Sequence, residues 1–213
     1  MATHRNSQES IEKIAKAARS LFAKKGYANA SLEEIATKAG FTKGAVYHFF
    51  RSKEALLLSL LADIEQRSVA QTELALQRMV ADSAMDKLMA FNTLQARWAV
   101  RNEADLAILM LVSIESANGK SPVREQVTRI YRRIEDMLTR IVSEGKASGE
   151  FPPDLPVDDM VTWITAIHDG NMLLWYRSGR NAEVGRRLAL ASQQAMKMAV
   201  RFKRTNKALT AAQ

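Results

Sequence analysis

The sequence predicts an all-α protein, with an N-terminal three-helix head carrying a helix–turn–helix and a larger helical body behind it. Three observations carry that expectation. Apolar residues recur at helical spacing from Ile11 almost to the C-terminus, and no stretch alternates as a half-buried strand would. Two helix starts, at Ser31-Leu32-Glu33-Glu34 and at Thr42-Lys43, are separated by a glycine stop at Gly40. The formal net charge of +8 is unevenly spread: residues 1–53 hold ten Lys/Arg against four Asp/Glu, residues 54–179 thirteen against eighteen, and residues 180–213 eight against one. A basic head on an acidic body suits a protein that holds a polyanion at one end.

The first helix is expected over residues 7–25. Ile11, Ile14, Ala15, Ala18, Leu21 and Phe22 fall on one stripe, Lys24 and Lys25 complement the last turn, and Gly26 ends it. Ser31 with Glu34 three residues on is a capping box. It opens a short helix with Leu32, Ile35, Ala36 and Ala39 on one side, stopped by Gly40. Thr42 N-caps the next helix, in which Ala45, Val46 and Phe49 form the apolar stripe. Lys43, Gly44, Tyr47 and His48 are left for another face. This is helix–turn–helix spacing, in which the second helix enters a DNA major groove, although many helical hairpins share it. Ser52 caps a long helix to about residue 80. Ala55, Leu56, Leu57, Leu58, Leu60 and Leu61 make its start apolar nearly all round, so it should be buried on several sides.

The body reads as further helices near 84–101, 103–118, 121–148, 157–178 and 181–204. Breaks fall at Asn118–Pro122, Gly149–Pro156 and Ser178-Gly179. Residues 205–213 are polar and Ala-rich and are expected to be disordered. There is no cysteine, so neither a disulfide frame nor a thiolate metal site is expected. Met1-Ala2-Thr3-His4-Arg5 lacks the apolar core of a signal peptide, and no apolar run has membrane-spanning length. A cytoplasmic location is the expectation.

The run LFAKKGYANASLEEIATKAGFTKGAVYHFFRSKEALL, within Ala17–Leu58, resembles the DNA-binding head of the TetR family of bacterial transcriptional regulators. The resemblance implies a helix–turn–helix domain over residues 1–51 and a ligand-binding and dimerisation domain over residues 52–213. It implies that Tyr47 contacts phosphate and packs on sugar, and that Lys43 and Gly44 lie near base edges. Thr42 and Ser31 would offer hydroxyl and backbone N–H to phosphate, His48 would be a second contact, and Lys53 a phosphate clamp. Arg5 in the N-terminal arm is a further candidate phosphate contact. Phe49 stands where many members carry a phosphate-contacting His, so it is expected to pack in the core instead. Palindromic operator DNA and a small-molecule inducer are the implied partners, with a homodimer formed through residues 157–204. Apolar candidates for that interface are Ile164, Ile167, Leu174, Leu188, Leu190, Met196 and Val200, with Gly170 allowing close approach.

In the body, Phe91, Asn92, Gln95, Trp98, Met110, Met172 and Trp175 combine bulk with weak polarity, the composition of an adaptable pocket. His168 and Asn171 are polar on an otherwise apolar helix: they are candidate anchors for a ligand, or they satisfy each other or the backbone. An enzyme is disfavoured. His4, His48 and His168 are the only histidines and lie in separate elements. There is no metal-ligand spacing, nucleophile elbow or Gly-rich phosphate loop. No catalytic residue, metal or cofactor is therefore expected. Asp158-Asp159 and Glu33-Glu34 sit at helix starts, where carboxylates suit the dipole. The rival reading is an architectural or ligand-independent DNA binder.

Overall fold

The structure is a computed structural model that describes residues 2–210 and, among these, the side chains of residues 7–198. Every regular element described is helical: α1 (Ala2–Lys25), α2 (Leu32–Ala39), α3 (Lys43–Phe49), α4 (Lys53–Ile64), a π turn (Glu65–Ala70), α5 (Gln71–Arg78), α6 (Ala84–Arg101), α7 (Glu103–Glu115), α8 (Pro122–Ala147), α9 (Val157–Arg177) and α10 (Ala182–Thr210). The all-α expectation is met. Three details differ from the sequence reading. Helix α1 starts at Ala2 rather than residue 7. The long helix expected to about residue 80 contains the π turn, which inserts one residue and is invisible to a period count. Helix α10 runs to Thr210, so polar residues 205–210 continue a helix instead of trailing from it. The side chains of Arg5 and Val200 lie outside the described residues.

The chain divides into two compact units, Met1–Arg67 with Arg101–Tyr131 and Ser68–Val100 with Arg132–Gln213. In the first, α1 packs on α2, α4 and α7, and α2 packs on α3. Ile14, Ala18, Phe22, Ile35, Val46, Leu56, Leu57, Leu60, Leu61 and Ile64 are buried there. Burying each large side chain contributes about 1.5–3 kcal/mol. The apolar start of α4 is thus explained by neighbours on several sides.

A polar lock accompanies this core. Arg19 Nε donates to Asp105 Oδ1 at 2.8 Å, and its guanidinium also pairs with Asp63. Arg67 donates to Asp63 Oδ2 at 2.9 Å, to Asn102 Oδ1 at 2.7 Å and to Asp105 Oδ2 at 2.5 Å. Asp105 is 3% exposed, so its charge depends on both arginines. Burial by itself would lower the Arg67 pKa, but hydrogen bonds and attraction from Asp63 and Asp105 more than offset it and raise the value.

In the second unit α9 packs on α10, and Leu88, Phe91, Leu138, Val142, Phe151 and Ile164 are buried. Phe151 fixes the α8–α9 connection by lying on the bare backbone of Gly145. A Cβ there would sit 2.3 Å from the Phe151 ring. The Glu150 carboxylate then accepts from the Ala84 and Met85 N–H groups at 3.0 and 3.2 Å, satisfying free donors at the start of α6. Glu73 of α5 holds Arg133 and Arg140 of α8 at 2.9 and 2.6 Å.

Candidate nucleic-acid interface and ligand site

The head is built by its caps. Ser31 Oγ accepts from Glu34 N–H at 3.1 Å, and Glu34 returns the bond to the Ser31 N–H at 3.1 Å. Lys25 pairs with Glu34 and, with the Ser31 bonds, holds its carboxyl below the ordinary range. Helix α2 ends where Gly40 turns left-handed at φ +76°. The Gly40 N–H reaches Thr37 O at 3.2 Å and the Phe41 N–H reaches Ala36 O at 2.9 Å, consuming two end carbonyls. Thr42 Oγ1 accepts from the Ala45 N–H at 3.2 Å and starts α3 at once. The turn is short because each of its ends is closed by a specific hydrogen bond.

Helix α3 then has two sides. Val46 is fully buried and anchors it to α2. Lys43, Gly44, Tyr47 and His48 are exposed, with Tyr47 at 46%. No atom stands within 4 Å of where a Gly44 Cβ would be, so its backbone is open to a close partner. Lys43 makes an exposed ion pair with Glu33 at 3.7 Å, weak enough to be exchanged for another anion. The His48 ring stacks edge-on against Phe49, centroids 5.3 Å apart. Phe49 is half-buried, and it is Phe50 that enters the core.

Lys53 does not point outward as a phosphate clamp would. Its ammonium donates to the carbonyls of Tyr27, Ala28 and Ala30 at 2.9, 3.2 and 2.9 Å, using all three protons. It also lies 4.5 Å from the Tyr27 ring centroid, a cation–π contact. Tyr27 itself stacks on Phe22 at 5.6 Å. The physical reason is local: the carbonyls of Tyr27, Ala28 and Ala30 in the loop between α1 and α2 converge on the ammonium, whose three protons match them one to one.

The residues expected to bind ligand are not gathered around one space. Phe91 is core, with the His168 ring 5.7 Å away. His168 Nδ1 lies 3.1 Å from Asp169 Oδ1, while His168 Nε2 and Thr165 Oγ1, one turn apart, are buried with no hydrogen-bond partner. Gln95 is held on both sides: its amide donates to Thr72 Oγ1 at 2.9 Å and its oxygen accepts from Ser68 Oγ at 3.2 Å. Asn92 donates to Leu88 O at 2.9 Å and lies 3.5 Å from Met196 Sδ. Asn171 donates to Ser192 of α10 at 2.6 Å, and Trp175 packs 3.1 Å from the Cβ position of Gly185. Trp98 and Met172 are half-buried in the same unit; Met110, also half-buried, belongs to the other.

A cavity of about 280 Å³ lies elsewhere in the second unit and contains none of these nine. Its walls are Met85 and Leu88 of α6, Met160 and Trp163 of α9, and Met196 of α10. Pro152 and Leu155 close one side, and Asp159 is its one charged lining residue. The sequence reading missed it because residues 149–156 look like a break, and Asp159 like a dipole partner. The methionine pair Met85 and Met160 was the available signal. Among the described residues, no helix is long and apolar enough to cross a membrane, and no group of three His, Asp or Glu could hold a metal.

Residues 14–60 match the family model for bacterial regulatory proteins of the tetR family, and residues 84–189 match that for the tetracyclin repressor-like C-terminal domain. The crystal structure of the MbdR regulator from Azoarcus sp. CIB is 30% identical, with a TM-score of 0.78 over 86% of this chain and 95% of that one. The HTH-type transcriptional repressor KstR2 of Mycolicibacterium smegmatis is 24% identical over 174 residues, 79% of this chain and 80% of its own length. The HTH-type regulator YerO of Bacillus subtilis is 55% identical over 51 residues, 24% of this chain; that match spans only 18% of the relative's length. A capped helix–turn–helix head, an all-helical body and a 30% identical regulator aligned over nearly its full length lead to one conclusion: the chain belongs to the TetR family of bacterial transcriptional regulators.

Proposed function

We propose that this regulator is a homodimeric repressor that leaves its palindromic operator when a small, largely apolar effector binds its body. Residues 1–51 form the DNA-contacting domain and residues 52–213 the effector and dimerisation domain. The observation that carries the reading is helix α3, anchored by buried Val46 and presenting Lys43, Gly44, Tyr47 and His48 to solvent. Tyr47 and His48 contact phosphate and sugar, and Lys43 leaves Glu33 for a base edge. Thr42 and Ser31 set the helix N-termini against phosphates. Lys53 serves from inside.

The effector reading is supported by buried, unmatched His168 Nε2 beside Phe91, with Asn92 and Asn171 as further polar groups. Trp98, Gln95, Met172 and Trp175, all of the second unit, complete the set proposed to respond. The dimer is supported by uncovered apolar side chains on α9 and α10: Leu173, Leu174 (51% exposed), Leu190 (59% exposed) and Met198. Ile164 and Met196, expected on that face, are buried within the unit and take no part. A dimer places two α3 helices on half-sites about 34–36 Å apart.

Titration of operator and scrambled duplexes tests the head. Tyr47→Ala weakens binding to both. Lys43→Ala costs about 1–3 kcal/mol on the operator and little on scrambled DNA. Equal affinity of the native protein for both duplexes marks an architectural binder and refutes the repressor.

A further inference from the structure

The cavity at the start of α9 has a chemistry of its own. Its volume, about 280 Å³, is nearly twice the roughly 150 Å³ that holds a benzene in an engineered apolar cavity. A bicyclic aromatic or a short branched chain therefore fits. Leu88, Met160 and Met196 are buried, and methionine side chains adapt to irregular guests. Filling the space restores dispersion contacts that the walls otherwise lack.

The polar lining is equally specific. Asp159 and Trp163 are four residues apart on α9 and so stand on one face, a carboxylate beside an indole ring. No Lys, Arg or His lines the cavity, and among the described residues none forms an ion pair with Asp159. Asp158 also serves the α9 dipole, and Asp159 lines the cavity from an exposed position, where its charge is open to a ligand. A carboxylate next to an aromatic face attracts an ammonium group and repels an anionic head.

We propose that this cavity is an effector site for a small apolar amine, its ammonium on Asp159 and its hydrocarbon body among Leu88, Met160, Trp163 and Met196. The proposal rests on the ligand-responsive reading above, but seats the ligand in this cavity instead of beside His168 and gives it a charge. It favours a cationic amphiphile over a carboxylic acid of the same shape.

An isosteric pair tests it on the full chain: 1-naphthylmethylamine and 1-naphthoic acid, by calorimetry at pH 7. The amine is expected to bind about three- to tenfold more tightly than the acid. Asp159→Asn, on an exposed position, closes that gap to within about twofold while lowering the melting temperature by no more than a few degrees, the loss expected from the α9 dipole. Leu88→Phe, which fills the space, weakens the amine at least tenfold. If filling disturbs the fold, quenching of Trp163 by the amine, lost in Trp163→Phe, reads the same site. Equal binding of acid and amine, no binding of either, or an Asp159→Asn variant that still prefers the amine each overturns the proposal. Operator affinity is measured alongside. Amine binding that leaves it unchanged refutes the effector role, and release by another compound, undiminished in Asp159→Asn, refutes this site while the repressor reading survives.

Discussion

Lys53 shows how a residue recognised by type can be employed differently by its neighbours. Three carbonyls and the Tyr27 ring take its charge, which fixes the loop leading to Ser31 and so the start of α2. Lys53→Met is therefore expected to weaken operator binding by misplacing that loop, with the slope of log affinity against log salt unchanged. A lysine that neutralised a phosphate directly would instead make the slope shallower by about 0.9 on its removal, so affinities between 50 and 300 mM salt decide. Glu150 is a second residue whose role comes from its place. Burial opposes its ionisation, but hydrogen bonds from Ala84 and Met85 N–H and from Ser148 and Ser83 win and hold its pKa below the ordinary carboxylate value. Stability from a lowered pKa is present above the unfolded value and lost as pH falls through the folded one. At pH 7 Glu150→Gln should cost about 0.3–1 kcal/mol. Urea denaturation from pH 7 to pH 3 should show the two proteins converging in acid; a constant gap contradicts the role.

At the scale of elements, α2 and α3 were legible because their boundaries are local chemistry. Ser31, Glu34, Gly40 and Thr42 close hydrogen bonds within a few residues of themselves, so spacing alone reveals them. The π turn at Glu65–Ala70 was not, since one inserted residue barely alters an apolar pattern. Nor was the Arg19–Asp63–Arg67–Asp105 lock, whose members lie up to 86 residues apart. Helices α9 and α10 show the same division: their apolar surplus was evident, but not which residues face inward. Leu174→Glu with Leu190→Glu, on exposed positions, should convert the proposed dimer to a folded monomer in sedimentation. A loss of about 2–4 kcal/mol is expected if both are central to the interface. A dimer that persists at the same dissociation constant puts the interface elsewhere.

At the scale of the molecule, a ligand can release DNA only if it binds the two states with different affinity. Operator must then weaken effector by the factor that effector weakens operator. The helical run from Lys53 to Arg78 contains the π turn at Glu65–Ala70, and π turns recur at functional positions. The Arg19–Asp105 lock supplies a second feature of that region, a buried charge whose loss leaves an unpaired group.

The family was legible as a resemblance of one run of residues within Ala17–Leu58; by itself the sequence also determined the helical class, most helix boundaries and the capped helix–turn–helix. These follow from signals of short range: periodicity, caps and glycine stops act over a turn or two. Only the tertiary structure decided that Lys53 turns inward, that Phe50 rather than Phe49 fills the head, that Gln95 is held by Ser68 and Thr72, and that a cavity is lined by Asp159 and Trp163. A helix pattern says that a side chain is on a face. Which atoms meet it there depends on packing between segments far apart in sequence, and a polar group in that packing takes whichever partner geometry brings within about 3 Å.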